Sequence, residues 1–216
     1  VNQLIDFTAR VWRRPLSETE EVELRNLYGQ LRELELSHEQ AFRLSLARVF
    51  VASPFLYRLE EPPDGTKAAA VTDRELASRL SYFLWSSMPD EELRTLAASD
   101  TLHEPAVFAR QTQRMLKDGR VRRLATEFAT QWLHIHDFDP HEQKSEKHFP
   151  QFAELRGTMY EDSVLFLTDL FQRDGSLLDL LNADHTFVNE RLAKFYDVPG
   201  VDGEAWRRVD GIQQHG

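Results

Sequence analysis

His134, His136, His141 and His148 fall close together in the chain, interleaved with Asp137 and Asp139. Imidazole and carboxylate form the donor set that zinc and other divalent ions accept. On an extended backbone, side chains two residues apart point the same way, so His134 and His136 would face one ion. Asp137, Asp139, His141 or His148 would complete the shell. None of the standard ligand spacings accompanies them, and a polar loop gathers the same residue types without binding anything. Glu35-Leu36-Ser37-His38 supplies one Glu-x-x-His, whereas a di-iron bundle needs that motif on two helices plus two further Glu. The adjacent carboxylates Glu161 and Asp162 suit general acid–base chemistry in type. Helix neighbours diverge, however, so one is expected in solvent and the other against an Arg of a neighbouring helix.

Trp12-Arg13-Arg14-Pro15 stands out in an acidic chain. Its guanidinium forks would dock an acidic partner or a carboxylate ligand. Equally, Trp12 would belong to the core while Arg13 and Arg14 cap the carbonyls that end a helix. Leu84-Trp85-Ser86-Ser87-Met88-Pro89 reads as a buried helix end. The sequence has no Gly-x-Ser-x-Gly elbow, no Walker loop and no Gly-x-Gly-x-x-Gly after a strand.

The elements that must position these groups are helical throughout. Leu4, Ile5 and Val11 mark a short leading helix that stops near Arg14-Pro15. Ser17-Glu18-Thr19-Glu20 forms a capping box before Leu24, Leu27, Leu31 and Leu34 at helical spacing. Ser37 to Gln40 restarts a helix with Phe42, Leu46, Val49 and Phe50 on one face, and Ser53-Pro54 ends or bends it. Thr72-Asp73-Arg74-Glu75 opens another, with Leu76, Leu80, Phe83 and Leu84 inward. Pro89 is expected early in the next helix. Residues 107–116 form an amphipathic helix that Asp118-Gly119 caps. Val121, Leu124, Ala125, Phe128 and Trp132 then make one apolar stripe. Periodicity fails over 134–150 and returns in a long helix carrying Phe152, Leu155, Met159, Phe166 and Leu170. Ser176 caps a short turn and Asn189 a short helix. No run of alternating β-branched residues and no Asn-Gly hairpin signal appears.

The expected fold is all-α: an irregular multi-helix bundle of roughly nine or ten helices in two packed subdomains. Glu-Pro-Pro-Asp-Gly at 61–65 sets the break. The expected division is an N-terminal helical subdomain at 1–62, a linker at 63–71 and a larger helical subdomain at 72–200. Residues 201–216 are the start of a following module or a disordered tail.

Composition removes several functions. Across 216 residues, 26 Lys and Arg face 36 Asp and Glu, for a net charge of −10. Nucleic acid demands a basic footprint, so it is not an expected partner. No stretch reaches the ~18–20 apolar residues of a membrane span. With 0 Cys, the chain carries no disulfide, no thiolate metal site and no Cys-x-x-Cys-His haem attachment. It begins at Val1 without a visible secretion signal, as a fragment or processed piece would.

Residues 9–16, Ala-Arg-Val-Trp-Arg-Arg-Pro-Leu, followed by Glu20, resemble the opening of a small helical domain of unknown function. Residues 76–93, Leu-Ala-Ser-Arg-Leu-Ser-Tyr-Phe-Leu-Trp-Ser-Ser-Met-Pro-Asp-Glu-Glu-Leu, resemble a second domain that usually follows it. Gln113-Arg114-Met115-Leu116, residues 128–133 (Phe-Ala-Thr-Gln-Trp-Leu), Phe149-Pro150 and residues 187–192 (Phe-Val-Asn-Glu-Arg-Leu) extend the likeness over residues 1–200. Domains of this kind are expanded in planctomycetes, in large exported proteins that often carry cytochrome c-type modules. The resemblance implies an extracytoplasmic setting, other domains of the parent chain or a c-type cytochrome as partners, and any haem elsewhere in that parent. It carries no catalytic residue and no cofactor to this chain.

Three readings stand at this point. The first is a non-catalytic helical scaffold or interaction module, with Trp12, Arg13 and Arg14 facing the partner. In the second, the chain is the helical part of an extracytoplasmic oxidoreductase or polymer-degrading enzyme completed by other domains. The third is a metal-binding module using His134, His136, His141 and His148. A pocket with perturbed acids among Glu161, Asp162 and Arg79 would favour the enzyme.

Overall fold

Local hydrogen bonding sets where most helices start. In the computed structural model, which describes residues 1–58, 60, 70–137 and 147–212, Ser17 accepts from the Glu20 amide and Glu20 reaches back to the Ser17 amide. That box opens α2 (Glu18–Glu33). Ser37 and Gln40 do the same for α3 (His38–Phe50). The Thr72 amide donates to Glu75 at 2.6 Å, opening α5 (Asp73–Trp85). Each pairing satisfies amides that a helix start leaves orphaned.

The chain divides into two units, Val1–Tyr82 with Ser87–Phe108, and Phe83–Ser86 with Ala109–Gly216. In the first, α1 (Asn2–Val11) and α2 both pack on α3. Their shared core is Leu4, Val11, Trp12, Leu24, Val49 and Ala52, with Phe7, Phe42 and Phe55 against it. Pro54 does not simply stop α3, which ends at Phe50; it opens the short α4 (Ser53–Leu56), because Pro suits a first helical turn. Asp90 caps α6 (Glu91–Ala98), so Pro89 lies before that helix rather than inside it. The buried Asp73 accepts from the Leu102 amide at 2.6 Å and pairs with His103, tying the start of α5 to the turn before α7 (Pro105–Lys117).

In the second unit Trp85 is fully buried, its indole donating to the Met115 carbonyl at 3.0 Å. Asp118 does not close α7 with Gly119 as a left-handed cap. It caps a 3-10 turn, Gly119–Val121, accepting from the Arg120 amide. Then α8 (Arg122–Leu124), a π-helical turn (Ala125–Ala129) and α9 (Thr130–Trp132) run on without a break. The wider π turn shifts the facing of every residue after it. Ala129 and Thr130 therefore go inward, while Phe128 and Trp132, expected in the core, are half exposed. Phe83 is likewise exposed, with its ring 6.2 Å from Phe128.

The long α10 (Phe152–Gln172) packs on this stretch through Val164 and Leu167. After α11 (Asp179–Asn182) come β1 (His185–Val188), α12 (Glu190–Phe195), capped by Asn189, and β2 (Arg207–Asp210). The strands pair antiparallel, His185 opposite Asp210 and Val188 opposite Arg207. This small sheet has no counterpart in the sequence expectation, and it brings part of 201–216 into the second unit. Val188, Leu192, Ala193, Val198 and Val201 form its core. The all-α class holds, with two four-residue strands among the described residues as a local exception.

Candidate functional site

The Trp12–Pro15 turn follows α1 and is held by contacts within the first unit. Trp12 caps α1 and sits in the core, its indole donating to the Val49 carbonyl at 3.2 Å. Arg13 has φ 62°, the left-handed region that costs a side-chain-bearing residue about 1–2 kcal/mol. Its guanidinium offsets that by donating to the carbonyls of Val11 (3.1 Å), Tyr57 (2.8 Å) and Pro54, and to the Tyr82 hydroxyl (3.3 Å). Arg14 makes a two-pronged pair with Glu20, at 2.8 and 2.7 Å, and lies 5.7 Å from the Trp12 ring. The pairing lowers the Glu20 pKa to about 2, chiefly through the Arg14 hydrogen bonds, and raises that of Arg14.

A hollow of about 690 Å³ opens beside this turn within the first unit. Arg13, Arg14, Arg58, Arg74 and Arg79 line it against only Glu60 and Glu75 among the described residues. Both acids already have hydrogen-bonded partners. Glu60 takes both prongs of Arg79 at 2.6 Å, which lowers its pKa, and Glu75 accepts from Thr72. Arg58 lies over the Tyr82 ring at 4.9 Å, and Arg74, exposed on the first turn of α5, makes no hydrogen bond or ion pair among the described residues. The described lining of the hollow thus carries excess positive charge in a chain whose net charge is −10.

A second hollow of about 280 Å³ shares Arg13, Arg14, Pro15 and Arg74 with the first. Its remaining wall is mostly small and apolar, from Ala9, Ala77, Pro89, Ala97 and Ala98.

The other sequence candidates are not gathered into these hollows. His134 ends α9 with φ 57°, so the extended backbone that would aim it and His136 the same way is not formed. His136 pairs with Asp137 at 2.8 Å, His148 is exposed, and His141 lies outside the described residues. Among the described residues no group of three His, Cys, Asp or Glu is placed to hold a metal ion. His38 hydrogen-bonds Tyr28 at 2.6 Å.

Glu161 meets Arg122 of α8 at 2.9 and 2.6 Å, as expected for one member of its pair. Asp162 corrects the expectation for the other. It is not solvated but accepts from the Thr186 hydroxyl at 2.7 Å and the Phe187 amide at 3.2 Å, fastening β1 to α10. Burial raises its pKa despite both bonds.

From the sequence, Arg79 is named only beside Glu161 and Asp162, and Arg58 and Arg74 are given no part in a site. They flank the Pro-rich break at 61–65, and that flanking charge was the only available signal. His185 also escaped notice: it is buried against Phe166, with Nε2 3.4 Å from Asp169 but no hydrogen bond.

Neither the curated proteins nor the solved structures provide a match to this chain. Residues 2–60 match the family model described as PSD5, a protein of unknown function (DUF1595). That match ends near the start of the Pro-rich break and takes in the Trp12–Pro15 turn. A second match covers residues 71–198, more than half of the sequence, and by it the chain belongs to PSD4, a family of proteins of unknown function (DUF1592).

Proposed function

We propose that this chain is a non-catalytic helical interaction module whose first unit recognises an anionic group on a partner. One observation carries the reading: among the described residues five arginines line the larger hollow against two carboxylates in an otherwise acidic chain, and both carboxylates are already engaged. Arginine forks fit carboxylate and phosphate oxygens, and charge complementarity confers partner choice and fast encounter. Glu161 and Asp162 support the non-catalytic part. The first is clasped by Arg122 and the second fastens a strand, so neither is poised to move a proton. In the exported, cytochrome-c-bearing setting that the family resemblance implies, the partner would be another domain of the parent chain or a c-type cytochrome.

The test is fluorescence anisotropy of a labelled oligo-glutamate peptide titrated with the full chain at low and high salt. Saturable, salt-sensitive binding is expected, weakened about tenfold or more in Arg58→Glu with Arg74→Glu. Both residues are exposed, so circular dichroism should show an unchanged fold. Binding by the double variant equal to that of the parent chain would overturn the anionic site. Substrate turnover abolished by a single substitution in the hollow would overturn the non-catalytic reading.

A further inference from the structure

We propose that the smaller hollow is an anchor pocket for one aliphatic side chain of an acidic peptide segment, whose carboxylates lie along the arginines of the larger hollow. This rests on the anion-recognition reading above and names its partner class. The smaller hollow joins two chemistries. Ala9, Ala77, Pro89, Ala97 and Ala98 present methyl and ring carbons, while Arg10 and Arg94 stand at its edge with the arginines it shares with its neighbour.

Size selects among occupants. At about 280 Å³ the space falls below the ~300–1,000 Å³ of most cofactor or small-molecule pockets, so it suits a side chain. An acyl chain would need a longer apolar channel than this short set of alanines offers. Shared walls select further. Arg13, Arg14, Pro15 and Arg74 border both hollows, so a ligand using both must cross the ridge they form. An extended peptide does this naturally, with an apolar residue on one side of the ridge and acidic residues on the other. Charge complementarity agrees: with a net charge of −10, the chain as a whole repels an acidic segment, and this arginine-rich face is where attraction is local.

Two labelled peptides of one acidic sequence test the proposal, the first with a central Leu and the second with Ser in its place. Anisotropy titrations use the full chain, Ala98→Phe and Arg74→Glu. Ala98 is exposed on α6, so the larger side chain plugs the hollow without entering the core. The parent chain is expected to bind the Leu peptide about tenfold more tightly than the Ser peptide. Ala98→Phe should abolish that preference while leaving the Ser peptide unaffected, and Arg74→Glu should weaken both.

Equal binding of the two peptides by the parent chain, with Arg74→Glu still weakening both, would overturn the anchor pocket and leave the anionic site standing. A Leu preference that survives in Ala98→Phe would place the anchor elsewhere and also overturn the proposal. Failure of both peptides to bind would overturn both readings together.

Discussion

Glu20 links the capping of α2 to the posture of Arg14, so replacing it with Gln tests how the arginine-lined turn is held. The carboxylate accepts two hydrogen bonds from Arg14 and one from the Ser17 amide, and its pKa falls from the ordinary 4.5 to about 2. At about 1.36 kcal/mol per pH unit, that difference sets a ceiling of about 3.4 kcal/mol on what ionisation contributes to folding. The Glu20 side chain is 24% exposed and that of Arg14 40%, so solvent screening reduces the expected figure to about 1–2 kcal/mol.

The pH dependence has a definite sign. A carboxyl whose folded pKa lies below its unfolded value stabilises fully above the unfolded value and loses that contribution as pH falls through the folded one. Glu20→Gln should therefore cost about 1–2 kcal/mol at pH 7, and the difference from the parent chain should shrink between about pH 5 and 2. Hydrogen-exchange mass spectrometry of peptides covering α1 and α2, at graded urea concentration, reads this segment alone. A deficit that stays constant across that pH range would refute the ionic account, since Gln at this position keeps the capping box as Gln40 does for α3.

Three further perturbations separate the remaining structural claims. Leu192→Ala removes a side chain with no exposure from the core beneath β1 and α12, and should cost about 2–5 kcal/mol in a denaturant titration; less than 1 kcal/mol would mean that the core is not closed there. Asp162→Asn removes a carboxyl that burial holds protonated to higher pH than the unfolded chain. Parent stability should thus fall as pH rises from 3.8 through the raised folded value, and the variant should lack that slope in urea titrations at graded pH. Arg120, whose guanidinium lies 3.4 Å from the centre of the Trp85 ring and whose contact lowers the Asp118 pKa to about 2, should cost about 1–2 kcal/mol as Arg120→Gln, read by tryptophan fluorescence during unfolding. Unchanged stability would show the stacked cation to be incidental.

What the sequence revealed depends on how far each determinant reaches along the chain. Ser17, Ser37, Thr72 and Asn189 each bond an amide a few residues on, so their helix starts are legible, whereas Asp90 caps α6 one residue past the expected Pro89 start. Phe128 and Trp132 were misplaced because a 3.6-residue period was carried through a turn that is π-helical. Arg13 and His134 are left-handed without being Gly, so the sequence places the exit from α1 near Arg14-Pro15 but does not show the backbone conformation at either residue. His185–Val188 and Arg207–Asp210 are short, and α12 lies between them, so no hairpin signal existed to be read.

The candidate site shows the same divide between local and tertiary information. Trp12, Arg13 and Arg14 drew attention because an aromatic-basic run is uncommon in an acidic chain. Their structural and recognition roles separate only in three dimensions. Arg13 spends its donors on four oxygen atoms and holds the turn, and Arg14 is fixed by Glu20, so neither needs a ligand to be ordered. Arg58 and Arg74 lie on opposite sides of the Pro-rich break and meet in one wall only after folding. Arg58 lies over the Tyr82 ring and close enough to Glu60 to help lower its pKa, and Arg74 projects from the first turn of a helix, where the backbone dipole already favours an anion. In the proposed reading the turn would supply a rigid frame from Arg13 and Arg14, so that the ordering cost on binding would fall on the exposed Arg58 and Arg74 alone.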